Sequence, residues 1–459
     1  AEGAYSAALI PVFSGVVLNP KDEREASDFV ENTTSMLLFA TLVLTILFFF
    51  GMPYIIQVLA PGFTDNKEAY ELAVHFGKII FPYLIFISLA AHFTSINNVH
   101  ERFAAGAFAP AILNISFILS LFILTPLLPS AGHALSYGVL IGGVLQFLFL
   151  YRAVLNFYRP RLRIPVLNEK LKKFFTLFLP GLVGSGVIQL NIVVGTIIAS
   201  FLPVGAISHI YYADRLNQLP LAIFGIALGI VLLPSLSKAI KRANQETIDN
   251  IQNRSLEFSL LISLPSAIGL FILAEPIIYI LFERGAFLQE DTFYTAKVLG
   301  YFSLGLPAYI IIKVLVACFF AREDTKTPLY ISIVSVVSNI LLSLLLIESM
   351  REMGIALATA ISAWINALLL YVMLFIRNNL KFDNLLISNA LKIFTSSVAL
   401  IFVIYGLKTL ILKDFVTNSF TANSLSLLMM IFLAIIIYLG LVIVLKVLTI
   451  NQLRQYLKK

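Results

Sequence analysis

Apolar residues run along this chain in long unbroken blocks, separated by short polar stretches and without the spacing of a surface helix. A helix of about 20 apolar residues crosses roughly 30 Å of hydrocarbon. The blocks therefore predict membrane-spanning helices near 34–58, 78–97, 107–127, 135–156, 174–202, 219–237, 257–282, 294–320, 328–347, 354–376, 389–412 and 424–449. Ahead of these twelve spans, AEGAYSAALIPVFSGVV at 1–17 is apolar but has neither the basic start nor the cleavage site of a signal peptide. It reads as the end of a helix already under way, so a chain truncated before Ala1 is expected.

Composition points the same way: 59% of residues are hydrophobic and 12% charged, against about 25% charged in soluble domains. A soluble globule could not cover that much apolar surface. The single cysteine, Cys318, excludes a disulfide scaffold and Cys-based metal sites. The net charge of +7 is spread over loops instead of forming a basic face on a soluble module, which excludes nucleic acid as a partner.

Lys and Arg resist translocation, so their distribution sets orientation. Assigned to alternate loops, they divide into roughly 22 on one side and roughly 6 on the other, the latter being Lys67, Arg215, Arg284, Arg351, Lys408 and Lys413. The basic loops, after 17, 97, 156, 237, 320 and 376, are expected in the cytoplasm with the C-terminus, and the loop near 213 outside. The longest basic segment, Tyr158 to Lys173, divides the chain and reads as a connector near anionic headgroups. Either side of it the sequence partly repeats. Pro82 and Pro307 stand 225 residues apart, as do Asn114 and Asn339, and APGF at 60–63 stands 224 before RGAF at 284–287.

The predicted fold is an all-α polytopic membrane protein with two pseudo-symmetric six-helix lobes and a C-terminal helix pair. The N-terminal lobe covers 1–157 and lacks its first helix and most of its second. A basic linker at 158–173, a second lobe at 174–378, and a helix pair with tail at 379–459 follow.

Polar groups at membrane depth are expensive and are functional candidates. Asp214-Arg215, in IYYADRLNQLP, stands where one helix is expected to turn into the next. It is either an exposed loop ion pair or an arginine able to grip a phosphate with both guanidinium nitrogens. Lys313 is a second possible anion contact or a snorkelling side chain. Gln189, Asn191, Asn114, Asn339, Asn366 and Thr359 are interhelical hydrogen-bonding groups or ligands. Gly225 and Gly229 suit close helix packing. The five histidines are scattered and read as structural. No nucleophile elbow, Walker loop or HExxH motif is present, so no enzymatic activity is predicted.

AEGAYSAALIPVF at 1–13, APGF at 60–63, ERFAAGAFAPAILNIS at 101–116, YYADRLNQLP at 211–220, GIALGIVLLPSLSK at 225–238, ERGAF at 283–287 and TKTP at 325–328 resemble the MurJ (MviN) family of bacterial lipid II flippases. That family lies in the multidrug/oligosaccharidyl-lipid/polysaccharide exporter superfamily, and the resemblance runs in order along essentially the entire chain. It implies fourteen helices, with two lobes around a cationic cavity and a final pair forming a groove for the lipid tail. With helices of about 20 residues, about 55 residues would precede Ala1, and the chain without them is expected not to transport. It also implies export of lipid II from the cytoplasmic to the periplasmic leaflet of the inner membrane by alternating access, by a monomer among membrane lipids. No cofactor is implied, and a membrane potential or ion gradient would drive the cycle.

The ADR motif carries a cavity arginine onto Arg215, and AEGA carries a cavity-facing acid onto Glu2. Asp214, Gln189 and Asn191 complete the expected substrate-binding set. Some members bind sodium through acidic side chains with an Asn and a Thr. Asn339 and Thr359 are kept here, but Gly195 and Ser343 stand at the acidic positions, so sodium coupling is not expected. The alternatives are a polysaccharide-unit flippase and a drug–cation antiporter of the same superfamily, the latter disfavoured by few intramembrane acids. A membrane enzyme acting on a polyprenyl diphosphate would need an acidic metal cluster that the sequence does not supply.

Overall fold

The computed structural model describes residues 2–18, 24–166, 168–411 and 420–447; inside the helices, the side chains at 2, 4, 180, 181, 183–188, 190, 191 and 224–231 fall outside that description. Among the described residues the secondary structure is helical, without strands. The first half holds α1 (Glu2–Leu18), α2 (Glu25–Leu59), α3 (Lys67–Ile80), α4 (Tyr83–Val99), α5 (Phe103–Leu124) and α6 (Ala131–Val154). There follow α7 (Glu169–Ala199), α8 (Ala206–Lys241), α9 (Gln245–Ile272), α10 (Ala274–Phe282), α11 (Gln289–Ser303), α12 (Leu306–Phe320), α13 (Lys326–Met350) and α14 (Glu352–Ile376). The last pair is α15 (Asn384–Ile411) and α16 (Phe420–Val444). Among the described residues ten segments are long and apolar enough to cross a membrane. The two remaining predicted spans, 174–202 and 219–237, fall on α7 and α8.

The repeat is visible in the element order. Proline lacks an N–H and clashes with the preceding turn, so it breaks helices. Pro82 stands at the break between α3 and α4, and Pro307 opens α12 just after the α11 break, so the 225-residue spacing marks the same interruption twice. APGF begins the single 3-10 turn between α2 and α3, and RGAF forms the turn between α10 and α11, where Gly285 takes φ 63°.

Beside an apolar core, the helices bury small and polar residues and turn many large apolar ones outward, as lipid-facing helices do. On α2, Thr33, Thr34, Ser35, Thr41 and Thr45 are buried while Phe39, Leu47 and Phe50 are exposed. Buried hydroxyls find acceptors: Thr34 Oγ1 donates to Val30 O at 2.7 Å and lies 2.9 Å from His92 Nε2, whose Nδ1 lies 2.9 Å from the Tyr5 hydroxyl. With the Thr34 proton committed to Val30, His92 donates from Nε2 and accepts from Tyr5. That chain ties α1, α2 and α4 together and leaves no polar atom in it facing hydrocarbon. Where α6 crosses α5 the backbones approach so closely that a Cβ on Gly138 would lie 2.1 Å from Ser120 Oγ.

By contact the chain forms two compact units, Ala1–Ile197 and Ile198–Lys459. In each, an asparagine holds the connector that follows an α-hairpin. In the first unit, Asn32 on α2 donates to Val166 O and accepts from Val166 N–H at 2.7 Å. In the second, Asn253 on α9 donates to Lys381 O at 2.8 Å and accepts from Asp383 N–H at 3.2 Å. The basic linker is therefore only partly a solvated connector. Arg163 pairs with Asp28 at 3.0 Å and Lys170 pairs with Glu25, whereas Arg159 and Arg161 stay exposed. A matching clip in the second unit joins Arg377 to Asp324 at 2.6 Å; the Thr327 N–H and hydroxyl and then Arg377 hold the Asp324 carboxyl down to about 2.

One sequence expectation is corrected. Residues 206–218 do not form a turn between helices: α8 starts at Ala206 and runs through Asp214-Arg215, with Ala213 fully buried. The turn lies at 200–205 instead, where Gly205 takes φ 101°, a conformation open to glycine at no steric cost. On a background lacking Cys318, a cysteine at Ile164 (88% exposed) is expected to resist an impermeant maleimide applied outside the inner membrane, and one at Val204 (86% exposed) to react. The opposite pattern would invert the topology.

Candidate functional site

Arg215 lies on an exposed stripe of α8. Helical neighbours stand three and four residues apart, so Tyr211, Arg215 and Gln218 share the exposed face while Ala213, Leu216 and Asn217 are buried. The guanidinium carbon sits 4.7 Å from the Tyr211 ring centre, a cation–π contact that holds the group in place and leaves its N–H edge free to donate. The half-buried Asp214 carboxylate takes its bond from Gln218, one turn on. The Asn217 side-chain oxygen on α8 and the Tyr309 hydroxyl on α12 are both buried, with no partner among the described residues.

A second feature is apolar. A groove of about 630 Å³ runs between α15 and the helices α9, α12 and α14, lined by residues such as Leu256, Ile311, Leu368, Tyr371, Leu386 and Ala390. A further groove of about 430 Å³ continues it through the shared residues Trp364 and Phe394 toward Tyr405. Trp364, which lines both grooves, is held by donating from Nε1 to Leu304 O at 3.0 Å.

The third feature was not apparent in the sequence. His209, in the first turn of α8, lies 3.1 Å by Nδ1 from Glu352 Oε1 and 3.0 Å by Nε2 from Asp291 Oδ1. Burial alone would lower the ring's pKa; the bonds to Glu352 and Asp291 outweigh it and raise it. Positions 209, 291 and 352 are too far apart in sequence for any spacing rule to pair them. The only local hint was acids at or next to the starts of α11 and α14, where helix dipoles favour them.

The model of the family described as lipid II flippase MurJ matches residues 1–445. This chain belongs to that family. A protein named probable lipid II flippase MurJ from Rhizobium tropici is 40% identical over 391 residues, covering 83% of this chain and 72% of that protein. A solved structure of lipid II flippase MurJ in an inward closed conformation superposes with a TM-score of 0.80 at 30% identity, covering 96% of this chain and 88% of that one. An inward-facing multidrug resistance MATE transporter of the MOP superfamily, 16% identical, shares the fold with a TM-score of 0.67 over 82% of this chain and 86% of its own. With its apolar helices, the chain is a multi-pass protein of the bacterial inner membrane.

The remaining MurJ-family positions divide. Gln189 is exposed on α7; the side chains of Glu2 and Asn191, and the Gly225–Gly229 pair, lie outside the described ones. Lys313 is exposed at mid-helix on α12. Of the expected sodium positions, Asn339 and Ser343 are both buried on α13, with Ser343 Oγ donating to Asn339 Oδ1 at 3.3 Å. The Thr359 hydroxyl donates to Ile355 O at 2.8 Å. Among the described residues no group of three or more His, Cys, Asp and Glu has metal-holding geometry.

Proposed function

We propose that the complete protein to which this chain belongs moves lipid II from the cytoplasmic to the periplasmic leaflet by alternating access. In this reading 1–157 and 174–378 are the two lobes, 158–173 the linker, and 379–459 the element that holds the polyprenyl tail. The observation that carries it is the presence, in one MurJ-family chain, of an exposed guanidinium in the ADR motif and of an apolar groove along α15. The substrate is an amphiphile of the same kind. Its diphosphate needs a cation with paired donors, and its tail needs an apolar channel open to lipid. Arg215 binds the diphosphate, and the family resemblance makes Asp214, Gln189, Asn191 and Glu2 the further substrate-binding candidates. No bond is made or broken, so the protein is a transporter and not an enzyme, and it acts as a monomer.

An inward-negative potential does work of about 2.3 kcal/mol per charge per 100 mV. It favours outward movement of the diphosphate and inward return of the cationic empty protein. Sodium is not needed, because binding it in lipid surroundings calls for a carboxylate among the oxygen ligands, and Gly195 and Ser343 supply none. Replacing sodium by potassium at fixed potential is expected to leave the flipping rate unchanged; a steep loss would show that the ion is coupled.

Reconstituted vesicles test the cargo directly. Lipid II is expected to reach the opposite leaflet, while a polyprenyl-linked polysaccharide unit or a drug cation is not. Equal flipping of the polysaccharide unit would favour the alternative within the superfamily.

A further inference from the structure

The ring of His209 stands between two carboxylates, and proton counting at that position leads to a ligand. Each ring nitrogen lies within hydrogen-bond distance of a carboxylate oxygen, at 3.1 and 3.0 Å. A neutral imidazole has one N–H and one lone pair, so it would turn a lone pair against one of those oxygens. Either the ring carries both protons or an acid does.

The remaining contacts decide which. The second oxygen of Glu352 makes no hydrogen bond but lies 3.3 Å from Arg351 Nε, whose positive charge favours the anion, and the second oxygen of Asp291 accepts the Leu288 N–H at 2.8 Å. Both carboxylates are thus stabilised as anions, and the proton belongs to His209. The charges then sum to zero around the buried His209 and Glu352: His209 and Arg351 against Asp291 and Glu352. Glu352 is 0% exposed and His209 5%, so loss of the proton would leave one negative charge uncompensated.

We propose that His209, Asp291 and Glu352 form a proton-binding site that locks the start of α8 against α11 and α14 while the proton is bound. The two ring nitrogens face opposite ways, so no point is shared by all three side chains as a metal would require. The proton exchanges through Asp291, whose side chain is 32% exposed. The site lies at the helix ends that the charge asymmetry assigns to the outside, so it reads external pH.

The groups facing His209 come from each packed element. Asp291 and Tyr294 lie on α11, the Tyr294 ring stacking on the imidazole at 5.7 Å between centres. Arg351 and Glu352 begin α14, and Arg351 also bonds the Tyr294 hydroxyl at 3.0 Å. Glu283, after α10, takes the hydroxyl of Thr292 beside Asp291. On α8 itself the nearest charges are Asp214 and Arg215, more than a turn away. Arg351 is held at φ 52° and ψ −135°, a backbone region costly for a residue with a side chain. Its contacts with Tyr294 and Glu352 hold it there.

Because the ring gains its acceptors only in the folded chain, the folded state binds the proton more tightly than the unfolded one. The stabilisation is complete below the unfolded value of about 6.5 and is lost as pH rises through the folded midpoint. The site stands whether or not lipid II is the cargo.

The test is nitrogen NMR of the intact chain in nanodiscs with labelled histidine, His209→Gln assigning the resonance. At about pH 7.5, where an unperturbed histidine is mostly neutral, His209 is expected to show two protonated nitrogens. Glu352→Gln should weaken proton affinity at least about tenfold, a shift of about one pH unit. Should that variant fail to fold because Arg351 is left unpaired, Asp291→Asn, at the exposed edge, is expected to shift the midpoint in the same direction. Amide exchange over 206–212, corrected for its intrinsic rate, should accelerate above the midpoint and be fast at every pH in His209→Gln. A neutral ring at about pH 7.5, a midpoint unmoved by Asp291→Asn, or exchange indifferent to the midpoint would overturn the proposal.

Discussion

Arg215→Ala in the complete protein is expected to bring lipid II flipping close to background while the protein accumulates in the membrane as before. The side chain is exposed on α8 and packs on Tyr211, and the neighbouring Asp214, which loses the arginine's charge, keeps the bond from Gln218, so the removal opens no cavity. What is lost is the paired N–H edge offered to the diphosphate. Truncating one member of a desolvated charge pair costs about 2–5 kcal/mol, which at about 3 kcal/mol is a rate loss of roughly a hundredfold. Arg215→Lys keeps the charge but replaces a planar fork with a point donor, so a smaller loss of about tenfold is expected. Tyr211→Ala removes the surface that holds the guanidinium and should fall between wild type and Lys. Export is measured by the arrival of lipid II in the outer leaflet in a flippase-depleted cell, with membrane abundance checked alongside. Normal export by the Ala variant would remove Arg215 from the mechanism.

The spans were legible because hydrocarbon accepts few sequences: a run long enough to cross must be apolar, and ten of the twelve were recovered as crossing segments among the described residues. The repeat was legible at Pro82 and Pro307, which stand at helix breaks, whereas Pro53, Pro110, Pro220 and Pro265 lie inside continuous helices. The segment 206–218 was misread because its polar residues lower the hydropathy that marks a span. Its helical pattern lies instead in burial, with Ala213, Leu216 and Asn217 inward and Tyr211, Arg215 and Gln218 outward.

Other features could not be read because they arise from tertiary contact alone. The straps from Asn32 and Asn253 bond to backbone atoms more than a hundred residues away, and backbone atoms carry no sequence signal. His209 looked like one scattered histidine among five. Its meaning came from two acids on other helices. The groove along α15 draws its lining from four helices, each contributing residues that read as ordinary lipid-facing ones.

That groove supports the second large effect. Ala390→Trp, which places an indole inside it, is expected to slow flipping at least about tenfold. Leu385→Trp, on the same helix but exposed outside the groove, should leave transport intact. The reason is not affinity for the tail: bilayer hydrocarbon is as apolar as the groove, so moving the tail between them gains little free energy. The groove instead restricts where the tail can lie, keeping the headgroup in register with Arg215 as it crosses, and lost registration costs rate. Two controls separate this from misfolding. Both tryptophan variants should melt together with wild type, because Ala390 is only half-buried and its side faces open space. Binding of a lipid II analogue with its tail cut short should be unaffected by Ala390→Trp and abolished by Arg215→Ala. An Ala390→Trp variant that flips lipid II at the wild-type rate would mean that the groove is filled by bulk lipid and takes no part in transport.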